Sequence, residues 1–400
     1  MSNQAGMETQ TTQSSRRPIR VWCDGCFDLT HWGHANAMRQ ARSMGDILVV
    51  GVHSDEEIKR HKGHYPVLRE QERYAAIRAI KWVDEVVEDA PYVTQLDVLN
   101  EHNIDFCVHG EDITTDENGR DCYYDVKQAG RFRYIKRSEG VSTTELVGRM
   151  ILHSKKHLMM KPMEQVDMAQ VRRMSAASRD EASSVKSPWT AGVSHFLPST
   201  RQIVQFGDVN KSPKPEDRIV YIDGAFDLFH AGHIEALRKA KALGDYLVVG
   251  IHTDADVNAA KGGNLPIMNL HERVLSVLSC RYVDEVVIGA PWVPTRAMLE
   301  KINVAVFAHG QVYDYPVNEG DRDIYEAPKQ MGIFAEFASE HTDITTDSLL
   351  QRIVQNMDRF ERRNRQKQQK ELDYIAKHGM PQFAGADQEP TRKHIDLSGQ

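Results

Sequence analysis

The chain alternates short, continuously apolar runs with longer segments of helical spacing, and it does so twice. Ile19 to Cys23, Ile47 to Val52, Glu85 to Val87 and Asp105 to Val108 read as strands, with helices over Gly33 to Met44 and around Glu70 to Ala79. A second series opens at Ile219 to Ile222, followed by a helix over Gly232 to Leu243 and a strand over Tyr246 to Ile251. Apolar strands interleaved with helices predict an α/β chain whose parallel sheets are covered on both faces. In such sheets ligands bind beyond the carboxyl ends of the strands.

The two series are copies. Asp24-Gly25-Cys26-Phe27-Asp28-Leu29 recurs as Asp223-Gly224-Ala225-Phe226-Asp227-Leu228, and His31-Trp32-Gly33-His34 as His230-Ala231-Gly232-His233. Glu72-Arg73 recurs as Glu272-Arg273, and His109-Gly110 as His309-Gly310. A period near 200 residues marks a duplicated domain rather than a solenoid. The expected domains are 18–155 and 216–366, joined by a linker over 156–215 that is rich in Ser, Met, Lys and Arg. Within it Phe196 to Phe206 is a candidate to dock on a domain, and Arg172-Arg173-Met174-Ser175 matches a basophilic-kinase site. The polar ends, 1–17 and 367–400, are expected to be disordered, with a solvated helix over Asp358 to Glu371.

His31 and His34 stand three residues apart where a helix begins, which puts both imidazoles on one face beside unpaired N–H groups and the positive end of a dipole. Ring and backbone donors together form a cradle for phosphate oxygens. A metal reading needs a third ligand that the motif does not bring, so no metal site is expected. Cys23 and Cys26 have C-x-x-C spacing, but their counterparts Ile222 and Ala225 lack thiols, and two buried cysteines are the expectation. Lys62, in a loop His61-Lys62-Gly63-His64 that recurs as Lys261-Gly262, is a further phosphate ligand. Weaker substrate candidates are Asp24, which either orients a phosphate or caps a turn, Tyr92, His109, and Asp112 with its neighbour Glu111.

Charge narrows the class. With 50 Lys and Arg against 57 Asp and Glu, the net charge of −7 argues against a nucleic-acid coat. Five cysteines make no disulfide framework, and no apolar run approaches the 18 or so residues of a membrane span. No apolar leader precedes Arg17. A cytoplasmic protein is expected, with peripheral contact at the endoplasmic reticulum and a homodimer both left open.

With His-x-Gly-His after the first strand and Arg137-Ser138-Glu139-Gly140-Val141-Ser142-Thr143-Thr144 downstream, each half resembles the cytidylyltransferase branch of the nucleotidyltransferase superfamily. The tandem duplication resembles its members that act on phosphoethanolamine. The resemblance implies two Rossmann-like domains and the joining of CTP to phosphoethanolamine, with magnesium accompanying CTP. It also implies that His31, His34, Lys62 and Arg137 do the chemistry, while Cys26, Phe27, Gly33, Gly140, Ser142, Thr143 and Thr144 hold nucleotide. In the second half, Ala225, Phe226, His230, His233, Lys261, His309, Gly310, Thr345 and Thr346 are the matching nucleotide positions. Counting back from the Ser-Thr-Thr run places Glu340 opposite Arg137 and Asp343 opposite Gly140, which implies one active and one degraded site. Phosphocholine or glycerol phosphate as substrate, and a nucleotide-sensing scaffold, are the alternatives.

Overall fold

The computed structural model describes residues 16–111, 114–116, 119–138, 140–159, 198–207, 211–263, 265–311, 318–319, 322–340, 343–360 and 362. Residues 1–15, Asp112, the Arg172–Ser175 motif, most of the linker and the polar tail therefore lie outside the described residues.

The first half runs β1 (Arg20–Gly25), α1 (Trp32–Arg42), β2 (Ile47–Val52), α2 (Asp55–Lys62), α3 (Glu70–Arg78), β3 (Glu85–Glu88), α4 (Leu96–Glu101), β4 (Phe106–Gly110), α5 (Tyr124–Gln128), β5 (Phe132–Ile135) and α6 (Thr143–Met159). After α7 (Pro198–Phe206), the second half repeats it with β6 (Ile219–Gly224), α8 (Ala231–Lys241), β7 (Tyr246–His252), α9 (Asp254–Lys261), α10 (Leu270–Leu278), β8 (Glu285–Ala290), α11 (Arg296–Ile302) and β9 (Val306–Gly310). A two-stranded ribbon, β10 (Asn318–Glu319) and β11 (Arg322–Asp323), precedes α12 (Glu326–Gln330), β12 (Phe334–Phe337) and α13 (Thr346–Gln355). The two five-stranded sheets have the same order, β3-β2-β1-β4-β5 and β8-β7-β6-β9-β12, and every pairing in them is parallel. This is the duplicated parallel α/β architecture that the apolar runs predict, in the Rossmann-like form that the resemblance implies.

The expected strands and helices of the two series end within two residues of those observed; α2 is the instructive addition. Its sequence, Asp55-Glu56-Glu57-Ile58-Lys59-Arg60-His61-Lys62, has one buried apolar residue, Ile58, so no periodicity betrays it. Its signature is electrostatic, with Ser54 accepting from Glu57 N–H, acids in the first turn and bases in the last. Lys62 therefore ends a helix, not a loop, and Gly63 closes that helix in the left-handed conformation at φ 75°.

Residues up to Val354 form one compact unit, and Gln355–Gln400 a second. In the second unit 357–360 are helical, with Phe360 buried, and the expected solvated helix beyond them lies, apart from Arg362, outside the described residues. Within the first unit a single apolar cluster joins the inner faces of both sheets, from Val21, Leu48 and Ile77 to Val220, Leu247 and Leu275. The outer faces have their own clusters, around Trp22 and Leu99 in the first half and around Tyr221 and Leu299 in the second. Where the halves meet, Lys81 N–H donates to Ser279 O (2.9 Å) and Arg281 N–H to Ala79 O (2.8 Å), flanking an antiparallel bridge between Ile80 and Cys280. The reciprocity is that of an approximate two-fold axis inside one chain. Helix α7, at the end of the expected docking stretch, packs on α10, and its Phe206 is buried edge-on to Trp82 at 5.1 Å. Phe196 itself lies outside the described residues. Among the described residues no helix is long and apolar enough to cross a membrane.

Candidate active site

The loop from Gly25 to His31 crosses the carboxyl edge of the first sheet. Phe27 and Leu29 both adopt left-handed backbone conformations, at φ 51° and 47°, which costs L-residues of order 1–3 kcal/mol each. The residue between them holds the turn: the Asp28 carboxylate accepts from Val67 N–H (2.9 and 3.1 Å) and Leu68 N–H (2.9 Å), and its carbonyl accepts the Thr143 hydroxyl (2.9 Å). Buried Phe27 packs against Gly25 and meets His34 edge-on at 5.6 Å, so its ring serves the loop.

The histidine pair is fixed by the head of α1. Gly33 N–H donates to His31 Nδ1 (3.1 Å) and His31 N–H to His34 Nδ1 (3.3 Å). A ring that accepts at Nδ1 carries its proton on Nε2, so both imidazoles offer Nε2–H donors. Burial, with His34 and Arg137 adding to it, holds His31 well below the ordinary histidine value. The rings stack at 3.9 Å. Gly33 is required here, because a Cβ would lie 2.9 Å from the His31 ring and 2.8 Å from Val141 Cγ1.

Segment 136–138 is tied to α1 through Gln40 to Lys136 O (2.9 Å) and Asn36 to Ser138 Oγ (3.0 Å), which leaves the Arg137 side chain exposed near His31. Ser142 caps α6 by accepting from Glu145 N–H (3.1 Å), so Thr143 and Thr144 sit in its first turn. Gly140 is left-handed at φ 76° with open space about it. His31, His34, Gly33, Thr143 and Arg137 thus converge on the heads of α1 and α6.

Lys62 belongs to a neighbouring group. Its ammonium lies 5.6 Å from the Tyr92 ring, and Tyr92 stacks on His61 (4.5 Å) and leans on His53 (5.1 Å). Burial raises the Cys26 thiol, while Lys62 pulls it down. Buried Asp24 accepts from the Thr94 hydroxyl and from Tyr123 OH (2.9 Å), which ties β1 to the segments that carry those two residues. His109 packs on Tyr123 at 4.8 Å, and exposed Glu111 follows β4. All five cysteines are free, and Cys23 is buried in β1. Among the described residues, no three His, Cys, Asp or Glu gather to hold a metal ion.

The cytidylyltransferase-like family model matches residues 22–149 and 221–346, one match per half. The ethanolamine-phosphate cytidylyltransferase of Dictyostelium discoideum is 53% identical over 366 residues, 91% of this chain and 99% of that protein. That of Mus musculus is 49% identical over 375 residues, 90% of this chain and 92% of that protein. This chain belongs to the ethanolamine-phosphate cytidylyltransferase family. The choline-phosphate cytidylyltransferase A of Rattus norvegicus, 42% identical, matches only 137 residues, 34% of this chain and 37% of that protein.

The second half of this cytidylyltransferase keeps the frame and changes several of the side chains on it. Phe226 and Leu228 repeat the left-handed turn, Asp227 accepts from Ile267 and Met268 N–H, and the Thr346 hydroxyl meets Asp227 O at 3.3 Å. His230 and His233 stack at 3.8 Å, with His233 pushed by burial down to about 3. Ala225 is buried beside them, Lys261 ends α9, Thr345 caps α13, and His309 Nδ1 meets Gly310 O at 2.6 Å. Pro294 replaces Thr94, and among the described residues neither carboxylate oxygen of buried Asp223 has a hydrogen-bond partner. Burial pushes that carboxyl up to about 8.

One alignment needs correcting. Gly110 pairs with Ile135 where Gly310 pairs with Phe337, and Gln40 reaches Lys136 O where Lys239 reaches Ala338 O. Strand register therefore sets Ser339 opposite Arg137, with the extra residue of the second half falling after it. Counting back from the Ser-Thr-Thr run missed this insertion. The second half lacks the arginine in either alignment.

Sequence reasoning used Glu72-Arg73 only as a repeat marker and missed its work. Fully buried Arg73 donates to Cys26 O and His53 O (both 2.7 Å), Leu68 O (3.3 Å) and Asp55 (2.8 Å), and Arg273 repeats every contact. The available signal was an arginine retained at an apolar helix position in both halves.

Proposed function

We propose that this protein transfers the cytidylyl group of CTP to phosphoethanolamine, giving CDP-ethanolamine and pyrophosphate, and that the first half carries the reaction. The observation that carries this reading is the pair of Nε2–H donors at the head of α1, with Arg137 beside them. Family membership over nine-tenths of the chain supports the substrate assignment.

The phosphate of phosphoethanolamine, with a second pKa near ~6, is largely dianionic at neutral pH and needs no general base. It attacks the α-phosphorus of CTP in line; the new P–O bond forms as the bond to the β-phosphate oxygen breaks, and pyrophosphate leaves with that electron pair. Such transfers are driven by positioning and charge stabilisation. His31 and His34 donate to the triphosphate, Arg137 and Lys62 neutralise its charge, and Ser142, Thr143, Thr144 and the α6 head orient it. The site is rich in donors, and both oxygens of Asp28 already accept backbone N–H groups. That set suits phosphate and not a resident cation, so magnesium arrives on the phosphates of CTP. The setting is the cytoplasm, at or near the endoplasmic reticulum.

Pyrophosphate release measured against phosphoethanolamine, phosphocholine and glycerol phosphate tests the assignment. A primary ammonium offers three hydrogen-bond donors where a trimethylated one offers none, so the expected preference in kcat/KM is for phosphoethanolamine. Equal or better turnover of phosphocholine overturns it.

A further inference from the structure

We infer that the second half supplies Arg352 to the first site as a positioning residue, acting through Glu72 and the backbone of Val67. The inference rests on the proposed cytidylyl transfer in the first half. Arg352, on α13, grips Glu72 of α3 with both guanidinium arms (2.7 and 2.8 Å) and reaches Val67 O at 3.3 Å. Glu72 is buried and also accepts from Arg69 N–H at 2.9 Å. One arginine thus fixes both ends of the 67–72 segment. The N–H groups of Val67 and Leu68 in turn hold Asp28, whose carbonyl holds Thr143. The path from Arg352 to the strained turn and the head of α6 is an unbroken series of hydrogen bonds.

The arrangement is reciprocal. Arg149, on α6, grips Glu272 of α10 (2.8 and 3.0 Å) and reaches Ile267 O at 3.3 Å. The helix that carries Thr143 and Thr144 is therefore anchored in the second half, and the loop beneath Asp28 is pinned by it. The His31 ring also borders a small void shared with Phe229, Ile234 and Cys280 of the second half. An interfacial ion pair of this kind is weak evidence for stability, since an apolar pair of similar volume often serves as well. What the two-armed geometry adds is directional constraint.

The test uses the full-length protein and compares the parent with Arg352→Met and Arg352→Lys. The groups at the end of this path are proposed to hold the triphosphate in ground and transition state alike, so Arg352→Met is expected to raise the KM for CTP about tenfold while kcat changes less than threefold. The Kd for CTP, measured by calorimetry without phosphoethanolamine, should rise in parallel. Arg352→Lys keeps the charge without the fork and should fall between. A folded Arg352→Met with KM and Kd within twofold of the parent overturns the inference, as does a lowered melting temperature with unchanged CTP affinity. If Arg352→Met fails to fold, Arg352→Lys is judged by the same criteria. A parent without CTP-dependent turnover sinks the proposed function, whereas an active parent with an indifferent Arg352 variant sinks only this inference.

Discussion

Hydrogen bonds decide what each histidine can do. Because both Nδ1 atoms of the first pair accept from backbone N–H, the Nε2 atoms are left to donate. His31→Ala is expected to lower kcat by ~10²–10³, the usual cost of one donor aimed at developing charge. His230→Ala, in the half without the arginine, should cost much less. Equal, severe losses in two variants that melt like the parent would contradict a single active site. Asp223 offers a stability test. With its folded value raised to about 8, the native state keeps a proton that the unfolded chain releases near ~3.9, so this group's stabilising contribution is lost as pH rises through that window. Asp223→Asn should therefore melt above the parent at pH 8, with the gap closing toward pH 4. A melting difference that does not change with pH refutes the linkage.

At the scale of elements, the heads of α1 and α6 carry the candidate site, and Gly33 shows how tightly. A methyl group there would press on His31 and Val141. Gly33→Ala should cost about 1–3 kcal/mol in stability, as overpacking does, together with a larger fractional loss of kcat/KM than of folded protein. A variant with full activity and an unchanged melt would show that the ring is not so confined. The strands and the histidine-bearing helices were legible because apolar runs and periodicity mark what is buried. Helix α2 was not, since charge order alone marks it, and Lys62 was consequently misplaced. The His-x-Gly-His and Ser-Thr-Thr motifs were legible as local strings. Asp28, Arg73 and Arg352 were not, because their roles depend on partners that follow or precede them by tens to hundreds of residues.

At the scale of the molecule, the halves share an apolar core, so two repeats in sequence are one unit in space. The Ser-, Lys- and Arg-rich composition of the linker still predicts the first proteolytic cuts there. The shared core then predicts that the nicked fragments stay together. Limited trypsin digestion should give two bands on a denaturing gel and one parent-sized peak in gel filtration. Separate peaks would mean that the halves fold and function independently, and early cleavage between Ile19 and Thr144 would contradict the domain boundaries.

The bridge between Ile80 and Cys280 sits where a symmetric pair of identical chains would place the same residue opposite itself. In such a pair every substitution is made twice, and a loss at one site is a loss at both. Here isoleucine faces cysteine, and Arg137 in one half has Ser339 as its counterpart in the other. Duplication within one chain has uncoupled the inheritance of the two faces. Either half is free to change without the same change being made in the other.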